Sequence, residues 1–118
     1  PPAFRPLMGQ RIFGCDTCQT ICPSNQKAKV AATLLEHPQL LDPLPDLLES
    51  FLLTETEFKS RYANTPVVRA RYQGFRRNVA IALGNARLEA ARIALLDCAA
   101  NELDDVVREA AQWALTQY

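Results

Sequence analysis

Phe75-Arg76-Arg77-Asn78-Val79-Ala80-Ile81-Ala82-Leu83-Gly84-Asn85 decides the fold class of this chain. Phe75, Val79, Ala82 and Leu83 recur at helical spacing, so one face of a helix is apolar. The middle is alanine-rich, and Gly84-Asn85 reads as a C-terminal cap. A second stretch, Val107 to Leu115, repeats the design: an early basic residue, small residues in the centre and an Ala-Leu ending. Small side chains let helices approach closely, as they do in stacked helical repeats. The expected fold is mainly α.

The flanking sequence agrees. Pro45 suits the first turn of a helix over Asp46 to Leu52. Thr54-Glu55-Thr56-Glu57 is a capping-box pattern that should open a helix running to about Tyr62. Pro66 restarts the chain, and Gly74 is expected to bend or break the helix. Leu88 to Ala99 places Leu88, Ala91, Leu95 and Cys98 on one stripe. Asp104-Asp105 puts acid at the start of a last helix, where the helix dipole favours it. That helix should bury Val106, Ala110, Trp113 and Ala114. No window alternates like a strand. Residues 46–118 therefore read as a helical domain, 31–45 as a linker too rich in proline for one helix, and 1–30 as a separate cysteine-bearing segment.

The chain has 118 residues, a formal net charge of zero and 48% hydrophobic residues, enough for a packed core. It opens at Pro1-Pro2 without a methionine and so looks like a piece of a longer protein. No apolar run is long enough to span a membrane, and nothing resembles a signal peptide.

Four cysteines stand at 15, 18, 22 and 98. A secreted disulfide scaffold would spread them along the chain. Here Cys15, Cys18 and Cys22 cluster, pointing to metal in a reducing, cytoplasmic setting. Thiolates are soft ligands suited to iron–sulfur clusters and zinc. Cys15-Asp16-Thr17-Cys18-Gln19-Thr20-Ile21-Cys22-Pro23 matches the last three cysteines of the ferredoxin-type run C-x2-C-x2-C-x3-C-P. Zinc sites prefer two cysteine pairs or added histidines, and the single histidine, His37, has no companion. A [4Fe–4S] cluster needs four thiolates, so the ligand set here is incomplete. Cys98 lies on an apolar face, where cysteine acts as a small hydrophobe. Asp16 reads as a turn residue.

From Phe58 to Ala86 there is no acidic residue, yet Lys59, Arg61, Arg69, Arg71, Arg76 and Arg77 all fall there, interleaved with Tyr62, Tyr72 and Phe75. Such a block can neutralise phosphates. It can also be an ordinary solvated face. Arg108, surrounded by Asp104, Asp105 and Glu109, suits an intramolecular pair, and Asn78 and Asn85 suit structural parts.

Arg5 to Gln19, Cys22 to Asn25, Pro66 to Asn85 and Val107 to Leu115 together resemble the epoxyqueuosine reductase family. The resemblance implies a ferredoxin-like cysteine segment followed by a HEAT-like helical-repeat domain. It implies a cytoplasmic enzyme that reduces epoxyqueuosine in the tRNA anticodon loop to queuosine, using cobalamin and two [4Fe–4S] clusters. By that carry-over Cys15 and Cys18 serve one cluster and Cys22 completes the other. The helical repeats help to hold the tRNA. The cobalamin domain, the catalytic acid and the first four-cysteine motif belong to an upstream catalytic domain, so this segment alone should be inactive. The competing readings are a free-standing iron–sulfur electron carrier and a zinc-bearing helical interaction module.

Overall fold

The computed structural model describes residues 1–26 and 46–118, and among them every regular element is a helix or a 3-10 turn. The linker 31–45 and His37 lie outside the described residues. Two compact units are present. One comprises Pro1–Phe13 with Asp46–Tyr118, and the other is Gly14–Pro45. Composition groups residues 1–13 with the cysteines, whereas packing groups them with the helices.

In the cysteine unit, α1 is Thr17–Thr20 and α2 is Pro23–Gln26. In the helical unit, α3 is Leu47–Leu52, α4 Glu55–Arg61, α5 Arg71–Ala86, α6 Arg92–Asn101 and α7 Asp105–Leu115. Short 3-10 turns at Pro2–Phe4, Pro6–Met8, Pro66–Ala70 and Glu89–Ala91 join them.

Capping sets the starts of three helices. The Asp46 carboxylate accepts from the Glu49 amide at 2.8 Å and opens α3. Thr54 and Glu57 form the complete capping box of α4, a feature worth about 1 kcal/mol. One Asp104 oxygen accepts from the amides of Val106 and Val107, both at 3.0 Å, and opens α7. Each satisfies amides that a helix start otherwise leaves unpaired.

The long helix α5 is the centre of the unit. Residues 79–84 are buried on every side, together with Phe75, as expected of a helix surrounded by others. It packs against α3 and α7, and α6 packs against α7. Phe75 meets the rings of Phe58 and Tyr62 at centroid distances of 5.0 and 5.2 Å, within the range favoured by aromatic pairs. The Tyr72 hydroxyl donates to the Leu53 carbonyl at 2.7 Å and ties α5 to the α3–α4 connection.

Three sequence expectations are corrected. Gly74 does not break the helix, since α5 runs through it. Gly84-Asn85 does not cap it either. The cap is Arg87, in the left-handed conformation at φ 51°. Gly84 has a different role: a Cβ there would lie 2.7 Å from the Cα of Ala114 and 2.9 Å from its Cβ. Only hydrogen in place of a side chain lets α5 and α7 pack this closely. In α7, Val107 is fully buried while Val106 is 51% exposed. The apolar stripe is Val107, Ala110, Ala111 and Ala114, one position later than the sequence reading placed it at its start.

Pro1–Phe13 joins the helical unit through side chains on α5 and α7. The Asn78 amide donates to the Ile12 carbonyl at 2.9 Å. The Asn85 amide donates to the carbonyls of Arg5 at 2.9 Å and Gly9 at 2.8 Å. Arg5 pairs with Glu109 at 2.8 Å and lies 5.7 Å from the centroid of the Trp113 ring. Trp113 is half-buried against the core rather than enclosed by it.

Candidate metal centre and basic face

In the cysteine unit, Gly14 adopts φ 75° immediately before Cys15, a conformation that favours glycine. The Asp16 carbonyl accepts from the Gln19 and Thr20 amides at 2.9 and 2.8 Å and from the Thr20 hydroxyl at 3.0 Å. Asp16 is thus the turn residue that begins α1, and its neighbours Cys15 and Cys18 bracket that turn. The Cys15 sulfur lies 3.1 Å from the Thr17 hydroxyl. Pro23 begins α2, and the Cys22 carbonyl accepts from the Asn25 and Gln26 amides at 3.0 and 3.1 Å.

Cys15 and Cys18 are exposed and Cys22 is half-buried, and the four cysteines form no disulfide. The backbone amides of Asn25 and Ser24 lower the Cys22 thiol below its ordinary value. A lowered thiol yields thiolate, the form that binds metal, more readily. The donor chemistry therefore suits iron or zinc. Among the described residues no three cysteine, histidine or acidic side chains converge on a single ion position. Cys98 stands apart on α6, buried in the core. Burial raises its thiol, against the pull of the Arg76 guanidinium.

The basic residues do not share one condition. Lys59 pairs with Glu55 at 2.7 Å, both exposed. Arg61 pairs with Glu49, and that bond raises the guanidinium above its ordinary value. Arg76 pairs with Glu102, the two side chains being 18% and 17% exposed. It also lies 5.2 Å from the Phe51 ring centroid and 5.5 Å from that of Tyr72, so its charge is committed within the fold. Arg77 donates twice to the Asn78 side-chain oxygen, at 3.1 and 2.9 Å. Arg69 and Arg71 are exposed, and neither forms an ion pair among the described residues. They stand at the turn leading into α5. Arg71 has φ 57° and ψ 163°, a strained conformation for a residue with a side chain. Arg108 pairs with Asp105 and donates to the Glu102 carbonyl at 2.8 Å, the intramolecular role its neighbours suggest.

Sequence reasoning did not find the Arg76–Glu102 pair. Its partners are 26 residues apart, and only the packed fold brings them together. No described helix is long and apolar enough to cross a membrane.

No family model matches the chain. It is 40% identical over 119 residues to an epoxyqueuosine reductase from Shewanella oneidensis, covering 99% of this chain and 30% of that protein. It is 36% identical over 118 residues to an epoxyqueuosine reductase from Pseudomonas aeruginosa, covering all of this chain and 33% of that protein. A crystal structure of epoxyqueuosine reductase with an epoxyqueuosine-modified tRNA-Tyr stem loop matches the fold with a TM-score of 0.82 at 28% identity. That match covers 99% of this chain and 31% of the other. Fold and sequence together define a helical segment shared with much longer proteins, about a third of whose length this chain spans. Over that segment the chain is similar in sequence and in fold to epoxyqueuosine reductases.

Proposed function

We propose that this chain is the C-terminal portion of an epoxyqueuosine reductase, supplying iron–sulfur ligands and a helical surface for tRNA. The carrying observation is the family match across 99% of the chain, which includes a C-x2-C-x3-C-P motif whose sulfurs lie at or near the surface. In this reading Gly14–Gln26 is ferredoxin-like and the helical unit is a HEAT-like repeat domain. Cys15 and Cys18 are thiolate ligands of one [4Fe–4S] cluster, and Cys22 is a ligand of a second. The remaining ligands, the cobalamin site and the catalytic acid belong to polypeptide upstream, within a cytoplasmic enzyme.

When bound, the clusters and cobalamin supply the electron transfer and reductive chemistry that turn epoxyqueuosine into queuosine. The residues of this chain bind and orient. Arg69 and Arg71 are exposed cations able to meet backbone phosphates. Lys59 and Arg61 can exchange their exposed carboxylate partners for phosphate, because surface ion pairs are worth little. Arg77 belongs to the same basic block but is turned to Asn78, and Arg76 is paired with Glu102. Recognition of a structured RNA through such groups is mainly of backbone and shape.

The test uses the chain extended to the length of its relatives and purified without oxygen. Broad visible absorption with about eight irons per chain, the content of two [4Fe–4S] clusters, supports the reading. A colourless protein carrying zinc overturns it. Removing the charges of Arg69 and Arg71 should weaken binding of a tRNA stem loop and flatten its salt dependence by about one unit of slope per lost contact. Unchanged binding at low salt removes the RNA-docking role.

A further inference from the structure

The packing of α5 explains Gly84 but not Gly74. Glycine inside a helix is less stable than alanine, and a Cβ at Gly74 would meet nothing within 4 Å among the described residues. Nor does the backbone there need glycine, since Gly74 lies inside the regular helix and has no positive φ. Asn78, Ile81 and Asn85 follow Gly74 at helical spacing and share its stripe of α5. Farther along, that stripe is covered. Asn78 and Asn85 hold the carbonyls of Ile12 and Gly9, and Ile81 between them is 4% exposed. At Gly74 the stripe is only half-buried.

The charge around this bare patch has one sign. Arg71 opens α5 three residues before Gly74, and Arg69 precedes it in the turn; both are exposed. Arg77 follows three residues after, a neighbour on the helix surface. Among the described residues none of these arginines forms an ion pair, and no acid occurs from Phe58 to Ala86. Arg77 is held through Nε and Nη2 by the Asn78 oxygen. That acceptor is neutral, so it fixes the guanidinium without cancelling its charge, and the Nη1 donors remain for a ligand. We propose that Gly74 is a close-approach point for an RNA sugar–phosphate strand. The missing side chain lets the strand lie against α5, where Arg71 and Arg77 on either side meet its phosphates. Glycine serves close approach of backbone to ligand in this way, and arginine–phosphate bonds are among the stronger hydrogen bonds. This rests on the RNA-docking reading above and adds the residue at which the strand touches the helix. Helix stability and RNA affinity should therefore move in opposite directions when Gly74 gains a side chain.

The test measures binding of a tRNA stem loop and thermal melting in the chain extended to the length of its relatives. The variants are Gly74→Ala, Gly74→Leu and Ala100→Leu, the last adding bulk at an exposed site on α6. Gly74→Ala should melt no lower than wild type and yet bind about threefold more weakly, and Gly74→Leu about tenfold more weakly, the scale of one lost charge-assisted hydrogen bond. The salt dependence should flatten by about one unit of slope per lost contact, although no charge has been removed. Ala100→Leu should bind like wild type. Because Gly74→Ala is no less stable, its loss of affinity cannot come from unfolding. Gly74→Leu binding as tightly as wild type, while removal of the Arg69 and Arg71 charges weakens binding, overturns this proposal alone. Equal weakening by Ala100→Leu does the same. So does a Gly74→Ala protein that melts lower with unchanged affinity, the result expected if polypeptide rather than RNA covers Gly74. A wild-type protein that does not bind the stem loop overturns the docking reading, and this proposal with it.

Discussion

Gly74 and Gly84 lie in the same helix, and the structure predicts opposite outcomes for the same substitution. At Gly84 an alanine Cβ would meet the Ala114 Cα at 2.7 Å, its Cβ at 2.9 Å and the Trp113 ring at 3.2 Å. The first contact is with backbone, so relief requires α5 and α7 to part. Overpacking of this kind costs about 1–3 kcal/mol, offset by about 1 kcal/mol from the higher helix propensity of alanine. At Gly74 nothing lies within 4 Å of the added methyl, and only the favourable propensity contribution remains. Both sites are within α5, so the propensity contribution largely cancels in the difference. Gly84→Ala should be less stable than Gly74→Ala by about 1–3 kcal/mol. Thermal and urea unfolding followed by circular dichroism measures this directly. Gly74→Ala should melt above wild type and Gly84→Ala below it, each by a few degrees on the order of the usual scaling. A Gly84→Ala variant as stable as Gly74→Ala would refute the close packing of α5 on α7.

Glu102→Gln keeps shape but leaves the largely buried Arg76 charge without its counter-charge. The urea midpoint should fall by the equivalent of about 1.5–3 kcal/mol, and an unchanged midpoint contradicts the pairing. Arg71→Gly removes a side chain from a strained left-handed backbone. It should raise stability by about 1 kcal/mol while weakening stem-loop binding, and lower stability contradicts it. Burial raises Cys98 and Tyr72 above their ordinary values of 9.0 and 10.0. The unfolded chain therefore loses these protons at lower pH than the folded one, so stability falls as pH climbs beyond about 9. Urea midpoints measured between pH 8 and pH 11 should decline, less steeply in Cys98→Ala, and a flat profile contradicts this.

Features that depend on neighbours in sequence were legible before the structure. The Thr54–Glu57 capping box, the Asp104 start of α7 and the Phe75-Val79-Ala82-Leu83 face all have local causes, and each stands in the fold. What was not legible depends on what packs opposite. Glycine in sequence signals freedom, yet at Gly84 its function is closeness to Ala114. Val106 and Val107 are chemically alike, and only the orientation of α7 decides which is buried. The basic block looks uniform as a string, but Glu102 withdraws Arg76 from it while Arg69 and Arg71 stay exposed. Pro1–Phe13 is attached to the helices by Met8 and Ile12 packing on the core and by asparagine amides reaching backbone carbonyls 66 to 80 residues away. No local pattern announces such bonds. The cysteine spacing, by contrast, is itself a local pattern, and the iron–sulfur role proposed from it calls on no distant neighbour in the sequence.

Iron stoichiometry in single-cysteine variants of the extended protein tests the central claim most directly. Serine at Cys15, Cys18 or Cys22 should each lower iron per chain and alter cluster absorption, while serine at the core residue Cys98 leaves the iron content at the wild-type level. Full iron loading in the first three variants, with loss confined to the Cys98 variant, would contradict the account.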